Sequence, residues 1–128
     1  MKKIILIIFS IFLGCKNNNE AITNPTFGIL IHGGAGTILK KNMSAEKEVE
    51  YRNVLKKAIE VGYKILEDGG TSQEAVEKTI IVMENSTLFN AGKGAVLNYD
   101  GNVELDASFM DGYSLNAGAI SGSTRIKN

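Results

Sequence analysis

An α+β fold is expected from this chain on three observations. A short aliphatic run, Phe27–His32, comes first. Two segments with apolar residues at helical spacing follow, separated by Asp68-Gly69-Gly70. Beyond Gly94 the apolar period falls to two. Strand, two helices and a meander of antiparallel strands, in that order, lack the βαβ crossovers of a doubly wound sheet.

Phe27–His32 (Phe-Gly-Ile-Leu-Ile-His) lies between Pro25 and the Gly33-Gly34 pair and predicts a buried strand. Ser44 is the expected cap of the first helix, with Glu46 and Glu48 in the turn where the helix dipole favours anions. Tyr51, Leu55, Ala58, Gly62 and Ile65 form its apolar stripe, and Asp68-Gly69-Gly70 ends it. Thr71 opens a second helix in capping-box spacing with Glu74, and Val76, Ile80 and Met83 form the predicted stripe. The pair reads as an αα-hairpin.

Ala95–Tyr99 and Asn102–Met110 flank Asp100-Gly101, a type I′ hairpin signal. Alternation puts Glu104, Asp106 and Ser108 on one face and Leu105, Ala107 and Phe109 on the other. Asp111-Gly112 turns the chain again, and Leu115, Ala117 and Ala119 alternate along a third strand. Strands beginning near residues 27, 95, 102 and 114 make a small sheet at most, with an unpaired edge of the kind that invites association.

The front of the chain is of a different character. Lys2 and Lys3 precede the apolar run Ile4–Leu13, which is shorter than the roughly 20 residues a bilayer core needs, so Met1–Gly14 is expected to be a secretion signal and not a span. Cys15 is the only cysteine, which rules out an internal disulfide. It ends Phe12-Leu13-Gly14-Cys15, a lipobox-like sequence with Phe12 and Leu13 at positions where an aliphatic and a small residue are usual. Lipidation at Cys15 is expected, against a plain signal peptide with a stray thiol, with residues 15–26 as a polar, lipidated linker and 27–128 as the folded part. The expected location is a bacterial periplasm or cell surface, with membrane attachment through the lipid alone. Fourteen basic residues balance fourteen acidic ones, and with no basic stripe nucleic acid is not an expected partner.

Several residues invite a functional reading and admit a plainer one. His32, the single histidine, ends a strand before a glycine turn, where a structural hydrogen bond is favoured over general base or metal ligand. Gly33-Gly34-Ala35-Gly36-Thr37 matches neither GxxxxGK[ST] nor GxGxxG, so a glycine turn is favoured over a phosphate cradle. Glu104 and Asp106 share a face as a glycosidase acid pair would, yet strand alternation produces that pairing unaided. Asn90, taken alone, reads as a turn residue.

Three motifs in order, Ile31-His32-Gly33-Gly34-Ala35-Gly36, Leu88-Phe89-Asn90-Ala91-Gly92-Lys93-Gly94 and Glu104-Leu105-Asp106-Ala107-Ser108-Phe109-Met110-Asp111-Gly112, resemble the plant-type asparaginases or isoaspartyl peptidases. These are N-terminal-nucleophile hydrolases. The resemblance runs from about Phe27 to Asn128 and implies an incomplete portion of a four-layer α/β/β/α sandwich. It also implies a precursor that cuts itself, exposing an N-terminal threonine as nucleophile, with its α-amine as base. That threonine has no counterpart here: Gly36-Thr37 and Gly70-Thr71 read as turn and cap, so this chain is expected to be the N-terminal part of an α subunit, inactive alone.

By the same resemblance, Asn90 supports the nucleophile, Gly33 and Gly34 lie in a loop close to it, and no cofactor serves the chemistry. A structural sodium ion would be held by the main-chain carbonyls of Met83, Glu84, Ser86, Phe89, Ala91 and Lys93. Thr87 stands where proline is frequent in the family. The implied partners are the missing C-terminal part, the β subunit, a small amide or dipeptide substrate, and a second copy in an (αβ)2 assembly. The competing expectation is a non-catalytic surface lipoprotein, or one half of a split enzyme.

Overall fold

The computed structural model describes residues 26–34, 39–126 and 128; the expected secretion signal, Cys15, the expected linker up to residue 25, Gly36 and Thr37 lie outside them. A 3-10 turn at Lys40–Asn42 leads into helix α1, Ala45–Glu67. Ser44 caps α1 as expected, its hydroxyl accepting from Lys47 N at 3.2 Å. At the other end Gly69 takes φ +81, and Gly70 N donates to Ile65 O at 2.8 Å. This glycine reversal satisfies carbonyls that the helix itself leaves open. Thr71 then caps helix α2, Ser72–Glu84, through Glu74 N at 3.1 Å. Of the predicted capping box, this forward bond is the half that forms.

The two helices pack antiparallel: Gly62 faces Ala75 and Thr79, and Ala58 meets Met83. A Cβ on Gly62 would overlap Thr79 Oγ1 and the Cδ1 of Ile29, so glycine sets how closely the helices approach. The Thr79 hydroxyl is buried and donates to Ala75 O at 2.7 Å. The predicted α1 stripe is the observed one. The α2 stripe differs: Ala75, Thr79 and Met83 face inward, while Val76 and Ile80 remain 42% and 41% exposed. Small groups are needed opposite Gly62, and that rotates the larger aliphatic residues off the contact.

Residues 27–33 run extended along this helical pair, opposite in direction to α1. Phe27 stacks obliquely on Tyr63 at 5.2 Å, Ile29 reaches Gly62, and Ile31 joins the cluster around Ala58, Met83 and Phe89. The predicted buried strand is therefore corrected. Alternate residues face the helices while Leu30 is 94% exposed, and the segment pairs with no strand among the described residues. An extended backbone whose edges have no ladder partner is held by side chains on one face only.

Strand β1, Leu105–Met110, pairs antiparallel with β2, Ala117–Ser123. The predicted strand at Ala95–Tyr99 does not form. Asp100-Gly101 does turn the chain, but not as type I′: Gly101 alone takes positive φ (+77), and Gly101 N closes onto Asn98 O at 3.1 Å. Type I′ would need positive φ at both central residues. The Asn98 side chain occupies the turn instead, its Oδ1 accepting from Asp100 N at 3.0 Å and Asn102 N at 2.8 Å. The Asp111-Gly112 turn is built around Asp111, whose carboxylate accepts from Tyr113 N, Ser114 N and Ser114 Oγ. Two helices and a two-stranded antiparallel sheet are what the described residues show. None of their helices is long and apolar enough to cross a membrane.

Candidate functional site

Met83 ends α2 inside the apolar cluster, and Phe89 returns to the same cluster six residues on. Phe89 is 6% exposed and meets Tyr51 edge to face, with ring centroids 5.7 Å apart. These two anchors pin the ends of the loop 84–88. Asn85 closes the helix, its side-chain amide donating to Ile81 O at 2.9 Å, and Ser86 Oγ accepts from Leu88 N at 3.2 Å. Thr87 is exposed on this loop.

Asn90 follows the buried Phe89 and so turns outward, onto the rim of a cavity of about 440 Å³. Its Oδ1 accepts from Val96 N at 2.9 Å, clasping the loop 90–96 at its neck. With the oxygen so engaged, the Nδ2 group keeps its two donor hydrogens for another partner. The cavity wall also includes Glu84 from the end of α2 and Glu104, Asp106, Ala107 and Ile120 from the hairpin and its approach. A cavity of this size suits a small polar ligand or the end of a peptide segment.

The loop from Glu84 to Gly94 is tightly wound around main-chain carbonyls. A Cβ on Gly92, which has φ +52, would overlap Glu84 O. One on Gly94 would overlap Phe89 O and stand 2.9 Å from Thr87 O. Glycine is required at both positions because oxygen atoms already crowd the loop. Met83 O accepts from Ser86 N at 3.0 Å, Phe89 O from Ala91 N at 2.8 Å and Ala91 O from Gly94 N at 3.1 Å. Each of these carbonyls retains a second lone pair. Side chains offer no alternative: no group of three His, Cys, Asp or Glu capable of holding a metal occurs among the described residues.

Gly33 packs at the same end of the helical pair. A methyl group there would stand 3.1 Å from Leu55 Cδ2 and 3.6 Å from Phe89 Cε1, so the glycine loop rests on the residue preceding Asn90. Gly34 takes φ +110 and donates its N–H to His32 Nδ1 at 3.2 Å. His32 thus has the structural part expected of it, as an acceptor that shapes the glycine turn. The structure brings Gly33 against Phe89 and sets Asn90 beside it, while Gly34 is exposed.

Asp106 lines the cavity, but its carboxylate is spent on the hairpin. Between Leu105 and Ala107 the register with β2 slips, and Gly122 takes φ +66 there. Asp106 Oδ1 accepts from Ser121 Oγ at 2.7 Å and from Gly122 N at 2.9 Å, stitching the bulge closed. The Ser121 hydroxyl first, and then the Gly122 N–H, hold this carboxyl below its ordinary value. Asp106 thus has a structural part in the bulge, as strand alternation alone would allow. Two partners were not anticipated from the sequence: Val96 N–H on Asn90, and Asn128 Nδ2 on Glu84 Oε2 at 2.9 Å. Neither carries a sequence signal, since a backbone N–H has no residue identity and the second contact spans 44 residues.

Comparison with known proteins places these features in context. The asparaginase family pattern matches residues 25–128. An isoaspartyl peptidase/L-asparaginase of Xenopus laevis is 44% identical over 100 residues, 78% of this chain and 31% of the relative. An isoaspartyl peptidase of Salmonella typhimurium is also 44% identical over 100 residues, 78% of this chain and 32% of the relative. A plant-type L-asparaginase of Pyrococcus horikoshii reaches 47% over 100 residues, again 78% of this chain and 31% of the relative. The chain thus spans about a third of the length of these relatives.

Proposed function

Because the chain belongs to the asparaginase family, we propose that it is the N-terminal portion of an amidohydrolase acting on the side-chain amide of asparagine or on β-aspartyl peptide bonds. The observation that carries this reading is Asn90: its amide oxygen is locked by Val96 N–H, so its NH2 group is oriented without help from a ligand. In the complete enzyme a threonine freed by self-cleavage attacks the substrate carbonyl. Its α-amine, with an ordinary pKa of about 7.7–8.0, takes the hydroxyl proton and returns it to the leaving amine. Asn90 positions that hydroxyl by hydrogen bonding and takes no proton itself. Gly33 and Gly34 belong to the adjoining loop, close to the threonine segment in the complete enzyme.

The carbonyl-crowded loop fits a sodium ion, which Met83, Glu84, Ser86, Phe89, Ala91 and Lys93 would hold through main-chain oxygens. Its part is to stiffen the loop carrying Asn90; it supplies no chemistry to the reaction. We take the helical pair and the hairpin to be part of an α/β/β/α sandwich, completed by further polypeptide and by an (αβ)2 assembly, and Cys15 to be the lipid anchor of a secreted bacterial protein.

One observation favours a variant of this reading. Phe109, Ile120 and Leu115 are 42%, 50% and 69% exposed, a surface suited to a covering polypeptide. A split enzyme, completed in trans, accounts for that surface equally well. The product of the whole reading frame, assayed with L-asparagine and β-aspartyl dipeptides after confirmed self-cleavage, should release ammonia or free aspartate. Failure to hydrolyse either substrate would sink the enzyme reading. Activity appearing only when a second chain is added would favour the split arrangement.

A further inference from the structure

We propose that Asp100-Gly101 is the chain's site of spontaneous aspartate isomerisation, a β-linked backbone lesion that forms in the folded protein ahead of the other two Asp-Gly dipeptides. This inference is independent of the functional reading above. In the reaction the Gly101 nitrogen attacks Cγ of the protonated Asp100 carboxyl, and the carboxyl's hydroxyl group leaves with the amide proton as water. The resulting five-membered succinimide takes up one water at either carbonyl. It returns aspartate or gives isoaspartate, with no net change in composition and no oxidant or reductant. Glycine favours the step because no side chain hinders the attacking nitrogen, and that condition holds at Asp68-Gly69, Asp100-Gly101 and Asp111-Gly112 alike.

What separates the three is how each carboxyl is held. Asp68 Oδ1 is paired with Lys64 Nζ at 2.8 Å, and Gly69 N belongs to the helix end, donating to Leu66 O at 3.1 Å. Attack there requires unwinding the last turn of α1. The Asp111 carboxylate accepts from Ser114 Oγ at 2.5 Å, Ser114 N at 3.1 Å and Tyr113 N at 3.2 Å. Those bonds fix both oxygens and keep the group in its ionised form, the poorer electrophile. Asp100 is exposed, and its carboxylate has no hydrogen bond or ion pair among the described residues. The restraints here act on the backbone and not on the carboxyl: Gly101 N donates to Asn98 O at 3.1 Å and Asn98 Oδ1 accepts from Asp100 N and Asn102 N, at an exposed tip where local opening is easy. A Cβ on Gly101 would meet nothing within 4 Å, and the same is true at Gly69 and Gly112, so the hold on each carboxyl and not space separates the three.

The test uses the full chain, aged for weeks in neutral buffer at physiological temperature and then cleaved after glutamate. Glu67, Glu74, Glu84 and Glu104 separate the three dipeptides into different peptides. Isoaspartate in each is measured by enzymatic carboxyl methylation and by electron-transfer fragmentation. Peptide 85–104 should gain several-fold more isoaspartate than the peptides carrying Asp68 and Asp111, and ageing in urea should erase the difference. Asp100→Glu, which cannot form the five-membered ring and adds a cleavage after residue 100, should abolish the signal across the resulting peptides 85–100 and 101–104 and leave the circular dichroism unchanged. Equal accumulation at all three sites in native buffer, a lead for Asp68 or Asp111, or a signal that survives Asp100→Glu would overturn the proposal.

Discussion

Asn90 divides its labour within one side chain, and that division can be separated experimentally. Asn90→Asp keeps an oxygen for Val96 N–H but loses the NH2 donor, whereas Asn90→Ala loses both. In the self-cleaved product of the whole reading frame, Asn90→Asp should lower kcat by about 100-fold, the scale of one oriented donor, with little change in thermal unfolding. Asn90→Ala should lower both. Equal activity in wild type and Asn90→Asp would remove Asn90 from the proposed mechanism. Gly62 makes a different point at the same scale. Its missing side chain is a packing requirement, since a Cβ would overlap Thr79 Oγ1 and Ile29 Cδ1. Gly62→Ala should cost about 1–3 kcal/mol by overpacking, read from urea unfolding followed at the helical band. Helix propensity alone would predict the opposite sign. Gly62 was legible as a stripe member; its role as the point of closest approach was not, because that depends on Thr79 and Ile29, which are distant from it in the sequence.

The helices were largely readable from the sequence, whereas of the four expected strands only those beginning near 102 and 114 formed, for physical reasons. Caps are local: Ser44 and Thr71 each bond a backbone N–H three residues on, so the sequence around them contains both partners. A strand needs a neighbour, and neither 27–32 nor 95–99 has a ladder partner among the described residues, whatever its own alternation. The hairpin that does form carries a pH dependence. Asp111 is held below its ordinary value of 3.8, first by the Ser114 hydroxyl, then by the N–H groups of Ser114 and Tyr113, and Asp106 is held below it by Ser121 and Gly122. A carboxyl whose folded-state pKa is depressed stabilises the fold above its unfolded value, and that contribution is lost as pH falls through the folded one. Amide exchange in residues 105–123 should therefore accelerate below about that ordinary value, while residues 72–84 respond less. Asp111→Asn should flatten the response at the 111–116 turn. Exchange that is uniform across the chain as pH falls would argue against this element-specific effect.

At the scale of the molecule, the apolar surface is unevenly covered. The helical pair buries Ala58, Ala75, Met83 and Phe89 to 9% exposure or less, whereas Tyr99, Tyr113 and Leu30 stand at 103%, 98% and 94%. Ala107, Phe109 and Ile120 share one open face of the hairpin. With acidic and basic residues balanced, little net charge opposes association. The chain on its own should therefore bind a hydrophobic dye and show concentration-dependent sedimentation, and Phe109→Ser with Ile120→Thr should reduce both. A monodisperse wild-type chain that binds no dye would contradict the reading of this face as one that needs covering.

The amino-acid sequence by itself determined the family, through three motifs in order, and the helical hairpin with its caps, because each of those signals is complete within a few residues. It also pointed to Asn90, Gly33 and Gly34 as residues to watch. The tertiary structure decided which side of α2 faces inward, how Asn98 and not a type I′ turn reverses the chain, and that Asp106 closes a bulge. It also decided that Val96 N–H engages the amide oxygen of Asn90. Each of these depends on a partner distant in sequence or on a backbone N–H, and neither leaves a mark in the order of side chains.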